Sequence, residues 1–366
     1  MSLDALDTPC VLVDEARLER NLREVAQLSE NYGKRLRPHI KTHKTIEIAA
    51  RQRELGAVGL TVAKLGEAEV YADAGFDDLL VCYPLVGDVK LSRLAALARR
   101  VTVSTVVDNA ASASALSAAM LRAGLRMDVL LKLDVGMHRI GVADDEAECL
   151  AMAVADLDGL RVRGVCIHEG SVYGEPDPAR RRSVARDQVQ ALVRTAERLR
   201  ERGLPIDVVS CGATPSFRDI IDIEGVTEVR PGNYVFYDAT QVALGVVGPE
   251  RCALSVLTTV VSHSAADRGV VDAGAKALSL DRGAHGLSLL DGYGQVIGRD
   301  DMRLASLSEE HGWLSLTGEL PLAIGHRLRI LPNHACAVVS NFDRLTVLRA
   351  GDPVAEWNVA ARGRVT

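Results

Sequence analysis

The sequence lacks what would send a chain into a membrane, out of the cell or onto nucleic acid. No apolar run approaches the roughly 20 residues needed to span a bilayer. The segment Met1 to Pro9 has neither the basic nor the apolar region expected of a secretory signal. A cytoplasmic protein is therefore expected. The 43 basic and 49 acidic residues, for a net charge of −6, are spread along the chain, and no basic block is long enough to track a phosphate backbone. The seven cysteines (Cys10, Cys82, Cys149, Cys166, Cys211, Cys252 and Cys336) form no Cys-x-x-Cys pair and are odd in number, which argues against a disulfide framework. Solenoid repeats, coiled-coil heptads and low-complexity linkers are also missing.

What is present suits a large globular chain: 366 residues, 48% of them hydrophobic, enough for two domains. From about residue 35 to 232, short β-branched runs alternate with Ala- and Leu-rich stretches of helical period, the pattern of βα units around a parallel sheet. The strand-like runs are 35–41, 58–63, 78–83, 101–107, 128–133, 163–168, 206–210 and 227–230, and helical stretches include 16–30, 65–74, 110–123 and 179–202. Eight runs with crossovers are the number that closes a (β/α)8 barrel of the TIM type. Beyond about residue 244 short alternating segments punctuated by Gly, Asp and Asn predict a mostly β domain. The expected α/β division is a barrel over 15–245 and a β domain over 246–366, joined by the strand-like segment in 1–14.

A β/α barrel gathers its chemistry at the carboxyl ends of its strands, and here those ends are loaded. The first predicted strand ends at Lys41, where partial desolvation would suit the amine to Schiff-base formation; the same residue could be a surface lysine of a basic turn. Lys44 competes for the role, but it falls where the next helix should start and is expected to point outward. The fifth strand runs into Asp134 and Arg139, and the sixth ends at His168. The seventh opens into Ser210-Cys211-Gly212-Ala213-Thr214 and the eighth into Arg230-Pro231-Gly232-Asn233-Tyr234. The small residues, hydroxyls and free N–H groups of these last loops suit a phosphate monoester. His168 could face a flat cofactor ring or be a hydrogen-bonded core histidine. Asp134, Arg139 and Arg230 could orient a cofactor or form a ring of salt bridges.

In the second domain His334-Ala335-Cys336 follows an apolar run that reads as a strand or strand end, and residues i and i+2 of an extended chain point to one face. Imidazole with thiolate favours a borderline-soft ion such as zinc, and two protein ligands leave positions open for water and substrate. His311, in the polar stretch Ser308-Glu309-Glu310-His311-Gly312, is a further candidate.

Four stretches carry a resemblance: Arg37-Pro38-His39-Ile40-Lys41-Thr42-His43-Lys44, Gly136-Met137-His138-Arg139-Ile140-Gly141, Glu228-Val229-Arg230-Pro231-Gly232-Asn233-Tyr234 and Pro332-Asn333-His334-Ala335-Cys336. Together they resemble the D-threonine aldolase and D-serine dehydratase family, over a span from Thr8 to Gly363. The resemblance implies the alanine racemase-like fold, a barrel binding pyridoxal 5'-phosphate (PLP) followed by a β domain, and a homodimer. It implies that Lys41 carries the cofactor, His168 faces the pyridine ring, Arg139 approaches the phenolic oxygen and Arg230 the ring nitrogen. It places the phosphate among Ser210, Gly212, Thr214, Gly232, Asn233 and Tyr234, and a divalent metal on His334 and Cys336, a pair that racemases of this fold lack.

A guanidinium at the ring nitrogen would keep it unprotonated and weaken the electron sink, which favours chemistry at the β-carbon with a metal polarising a 3-hydroxyl group. Dehydration would yield a 2-oxo acid and ammonia; retro-aldol cleavage would yield glycine and an aldehyde. Members of the family that resemble D-serine dehydratase carry Cys as the second ligand, whereas aldolase members carry Asp with a harder ion such as manganese or magnesium. Cys336 thus points to zinc-dependent dehydration of a D-3-hydroxy amino acid: D-serine, D-threonine or 3-hydroxy-D-aspartate. Aldol cleavage is the alternative; an amino-acid racemase and a non-catalytic PLP carrier are the remaining ones.

Overall fold

The computed structural model describes residues 3–318 and 322–366 and divides the chain into two compact units. One comprises residues 25–41, 48–232 and 363–366; the other comprises residues up to 24, 42–47 and 233–362. The boundary expected at 245/246 therefore lies at 232/233. The reason is local: within the second unit Ala239 N–H donates to Pro332 O at 3.0 Å and Ala253 N–H to Phe236 O at 2.7 Å, tying the segment after Gly232 to the strands that follow. Among the described residues no helix is long and apolar enough to cross a membrane.

Strand β1 (Cys10–Asp14) belongs to the second unit. The first unit holds β2 (Arg35–Leu36), β3 (Leu60–Val62), β4 (Asp78–Val81), β5 (Thr102–Val107), β6 (Met127–Lys132), β7 (Leu160–Cys166), β8 (Val208–Cys211) and β9 (Glu228–Val229). All eight are parallel and pair in the order β2-β9-β8-β7-β6-β5-β4-β3. A parallel bridge between His39 and Thr61, with Thr61 N–H donating to Pro38 O at 2.9 Å, joins the two ends and closes the barrel. Leu80, Val106, Leu130 and Cys166, each from a different strand, meet in its interior.

The crossover helices form where the sequence gives them a start, one apolar face and a stop. In Pro178–Glu201 the Asp177 side chain accepts the Arg180 N–H at 2.7 Å, and Pro178 occupies a first-turn position where no N–H is needed. Ala185, Val189, Leu192, Ala196 and Leu199, spaced by three and four, make its buried face. Gly203, at φ 86°, ends the helix in the left-handed conformation that glycine adopts without strain.

Two strands differ most from expectation. Along the run at 35–41 the N–H groups of Arg35, Arg37 and His39 donate to Thr227, Val229 and Pro231, after which Ile40–Thr42 forms a 3-10 turn; Lys41 sits on that turn rather than on a strand. β7 starts three residues before the expected 163 because Arg161 and Arg163 are its outward positions, paired to Asp128 and Asp207 at 2.6 Å each, while Leu160 and Val162 are buried.

The second unit is a nine-stranded, mainly antiparallel sheet of β1, β10 (Leu254–Ala265), β11 (Arg268–Val271), β12 (Gln295–Val296), β13 (Met302–Leu307), β14 (Gly312–Leu316), β15 (Arg327–Leu331), β16 (Arg344–Arg349) and β17 (Asp352–Asn358). Its order is β11-β14-β13-β12-β15-β10-β1-β16-β17, and an additional β10–β11 pairing curls the first six into a closed ring. β1 runs antiparallel to β10 and parallel to β16, so the strand-like segment at the start of the chain joins this β unit.

Candidate active site

In the barrel unit Lys41 is half-buried on its 3-10 turn, just past the last ladder bond of β2. Lys44, expected to point outward, is instead only 8% exposed, with a positive φ of 51°. Arg37 clamps the strand ends below: its Nε lies 2.8 Å from Glu228 Oε2 and its Nη1 2.6 Å from Asp78 Oδ1. Burial by itself would raise the Glu228 carboxyl, but Arg37, the Ser210 hydroxyl and Arg230 together hold the group below the ordinary carboxylate range.

Glu228 also accepts the Ser210 hydroxyl at 2.7 Å, and Arg230 Nη1 bonds that same hydroxyl. Arg230 Nη2 donates to Ile167 O at 2.7 Å. Arg230 is thus a buried guanidinium fixed at the ends of β7 and β8, and the Ser210 side chain is engaged in fixing it. Gly212 has φ 123°, and a Cβ there would lie 2.8 Å from Arg230 N, so both conformation and space require glycine. Its N–H, a candidate phosphate donor, faces the buried Glu169 carboxylate at 3.0 and 3.1 Å. Thr214 and Gly232 are buried in the loops after β8 and β9.

His168 lies two residues past β7 and is half-buried. Arg139 is exposed on the loop after β6. That loop is shaped by Asp134, whose Oδ1 accepts the N–H groups of Gly136, Met137 and His138 at 3.0, 3.1 and 3.0 Å. Burial would raise the Asp134 carboxyl, yet these donors and the His138 ring bring it below its usual value. Sequence reading missed Glu169, Glu228 and Lys132. Lys132 is 3% exposed at the end of β6, its Nζ has no hydrogen-bond partner among the described residues, and burial pulls its pKa down from the usual 10.5. The signal available for all three was a charged residue at or beside a predicted strand end.

In the β unit His334 and Cys336 do come together, but not on an extended strand. β15 ends at Leu331; His334 is the extended cap of a short helix, Ala335–Val339, and Cys336 lies inside it. The meeting arises from this cap geometry instead of the two-residue period of a strand. Asp238, fully buried, accepts the Ala335 N–H at 3.0 Å and the Asn233 side-chain amide at 2.7 Å, which pins the residue between the pair. Tyr234 follows Asn233 in the same buried 3-10 turn.

His334 Nδ1 lies 2.7 Å from Asp281 Oδ2, and the His334 ring also hydrogen-bonds the Cys336 side chain. Burial works to lower the imidazole pKa, but Cys336 and Asp281 override it and raise it well above 6.5. Cys336 Sγ is 3.1 Å from Thr42 Oγ1. Among the described residues no cluster of three or more His, Cys, Asp and Glu side chains suited to a metal is present. His311 is exposed in the β13–β14 turn beside Trp313, with ring centroids 6.5 Å apart.

The donor sets fit the two groups suggested by the sequence. A half-buried amine, a half-buried imidazole, a buried guanidinium and small-residue loops in the barrel unit suit an aldehyde cofactor with a phosphate tail. An imidazole held by a carboxylate, together with a thiol beside a hydroxyl, suits a borderline-soft divalent ion with open positions.

Comparison with known proteins agrees. Residues 13–240 match the alanine racemase N-terminal domain and residues 253–348 a putative serine dehydratase domain. The chain is 39% identical to D-threo-3-hydroxyaspartate dehydratase of Delftia sp. (strain HT23), covering 97% of this chain and 98% of that one. It is 35% identical to D-threonine aldolase of Arthrobacter sp, covering 99% and 94%. The solved structure of a cysteine-to-alanine variant of D-threo-3-hydroxyaspartate dehydratase, described as a metal-free form, superposes with a TM-score of 0.90 at 37% identity, covering 98% of both chains. The chain belongs to the D-threonine aldolase and D-serine dehydratase family of PLP-dependent lyases, with the alanine racemase-like fold.

Proposed function

We propose that this PLP lyase of D-hydroxy amino acids is a metal-dependent dehydratase that converts a D-3-hydroxy amino acid to a 2-oxo acid and ammonia. The observation that carries the reading is the His334 and Cys336 pair, each with an outer partner, since a thiolate ligand favours zinc over manganese or magnesium. The metal-free description of a relative's cysteine variant supports a metal role for such a cysteine.

When bound, PLP supplies an electron sink and the metal a Lewis acid for the 3-hydroxyl group. Lys41 would hold the cofactor through its Nζ and is the amine assigned to take the proton from the substrate Cα. His168 would lie against the ring. Arg230, fixed by Ser210 and the Ile167 carbonyl, would face the ring nitrogen and disfavour its protonation. Arg139 would reach the phenolic oxygen, and Thr214, Gly232, Asn233 and Tyr234 would receive the phosphate, while Ser210 serves Arg230 and the Gly212 N–H is held by Glu169. His334 and Cys336 would hold the metal, which would polarise the 3-hydroxyl group as a leaving group on the β-carbon. As in the sequence reading, the protein acts as a homodimer.

Incubation with D-serine, D-threonine and 3-hydroxy-D-aspartate, with and without EDTA, tests this. A 2-oxo acid that disappears with chelator is expected. Glycine plus an aldehyde would make the protein an aldolase, the second reading, which its 35% identity to D-threonine aldolase favours. Activity indifferent to EDTA would indicate a racemase-type reaction, and PLP binding without turnover a carrier.

A further inference from the structure

We propose that Asp281 and Thr42 are positioning residues for the metal pair: Asp281 sets the tautomer and orientation of His334, and Thr42 sets the donor strength of the Cys336 sulfur. The inference rests on the metal reading given above. Neither residue is marked by sequence spacing, since Asp281 is 53 positions from His334 and Thr42 is 294 from Cys336.

The Asp281 carboxylate, 2.7 Å from Nδ1, fixes the proton of the neutral imidazole on that nitrogen. The lone pair is then on Nε2, the nitrogen left for a metal, and the ring cannot rotate without breaking a charge-assisted bond. The carboxylate is itself held in place by its backbone. Asn333 Nδ2 donates to Asp281 O at 2.9 Å and to Gly292 O at 3.0 Å, ties that use main-chain oxygens and survive a change of the Asp281 side chain. Asn333 directly precedes His334, so one segment carries both the ligand and the residue that anchors its partner.

On the other ligand the Thr42 hydroxyl, 3.1 Å from Cys336 Sγ, is a donor to the thiolate that a metal would bind. A hydrogen bond to a thiolate draws electron density from sulfur, lowering its donor strength towards the ion, as outer partners do in other metal sites. Thr42 immediately follows Lys41 in the chain. The same short turn therefore bears the cofactor lysine and the tuning hydroxyl.

The test uses PLP-loaded protein and reads metal binding rather than turnover. Zinc affinity is measured by competition with a chromophoric chelator for the native protein, His334→Ala, Asp281→Ala and Asp281→Asn. Native protein that binds no zinc, or binds it unchanged in His334→Ala, would overturn the metal reading itself. Given native binding, we expect Asp281→Ala to weaken zinc by roughly 10- to 100-fold. Asp281→Asn, which keeps an acceptor oxygen, should recover much of that loss, with the cofactor absorbance unaltered in both. Unchanged affinity in Asp281→Ala would overturn the role assigned to Asp281, as would a loss far beyond 100-fold in both variants, which would make Asp281 a ligand. For Thr42, cobalt replaces zinc and the spectrum of metal-free protein is subtracted. Thr42→Val should move the sulfur-to-cobalt charge-transfer band to longer wavelength and Thr42→Ser should not. An unmoved band in Thr42→Val would overturn its role.

Discussion

At the scale of single residues, the barrel's floor depends on a chain of charge: Asp78, Arg37, Glu228, Ser210 and Arg230, each bonded to the next. Glu228 is almost fully buried, and its loss would leave Arg37 with Asp78 alone. We expect Glu228→Gln to cost about 3 kcal/mol, at the low end for breaking a buried pair because Arg37 keeps one partner; denaturant unfolding measures it. The native Glu228 carboxyl lies below its ordinary value of 4.5, so the unfolded chain takes up its proton first as pH falls. The stability it contributes is fully present above that value and is lost as pH drops through the lower native value. Unfolding of the native protein followed below pH 4.5 should show this loss, and Glu228→Gln should show less of it. Only Arg230 and Ser210 of this chain stood out in the sequence, and the links themselves were not legible, because they join residues 41, 191, 18 and 20 positions apart. Lys44 illustrates a different gap: periodicity placed it at a helix start, but the helix begins at Ile46 and the intervening turn buries it.

At the scale of elements, what periodicity and punctuation could show was legible: eight barrel strands, and helices whose ends lie within a residue or so of expectation at 16–30, 65–74, 110–123 and 179–202. Alternating burial and caps are local properties, and they survive in a single sequence. The cap at His334 was not legible, because the Ala335 N–H beside it is bound by the distant Asp238, and the three-residue turn at Ile40–Thr42 is too short to carry a periodicity. One glycine shows how tightly the barrel closes. A Cβ at Gly164 in β7 would lie 2.0 Å from Val208 O on β8, so the two strands approach only because no side chain intervenes. Gly164→Ala should destabilise the protein by about 3 kcal/mol, the upper range for overpacking, seen as a lower midpoint in thermal or denaturant unfolding. A midpoint equal to that of the native protein would show that β7 and β8 can separate at no cost.

At the scale of the whole molecule, the chain passes from one unit to the other at 24/25, 41/42, 47/48, 232/233 and 362/363, so neither unit is a continuous segment. A division at 245/246 follows composition, whereas the structure follows hydrogen bonding, and these differ where the turn Asn233–Val235 and helix Ala239–Ala243 join the β unit. The passage at 41/42 falls between the residue assigned to the cofactor and the residue assigned to the metal ligand's hydrogen bond. Besides the half-buried Lys41, two lysines are buried among the described residues and compete for the cofactor: Lys44 and Lys132. The most direct measurement is reduction of the PLP-loaded protein with borohydride, followed by peptide mapping. The pyridoxyl label is expected on Lys41 alone, with no label in Lys41→Ala. Label on Lys44 or Lys132, or the yellow absorbance of the native protein persisting in Lys41→Ala, would contradict the assignment on which the rest of the chemistry depends.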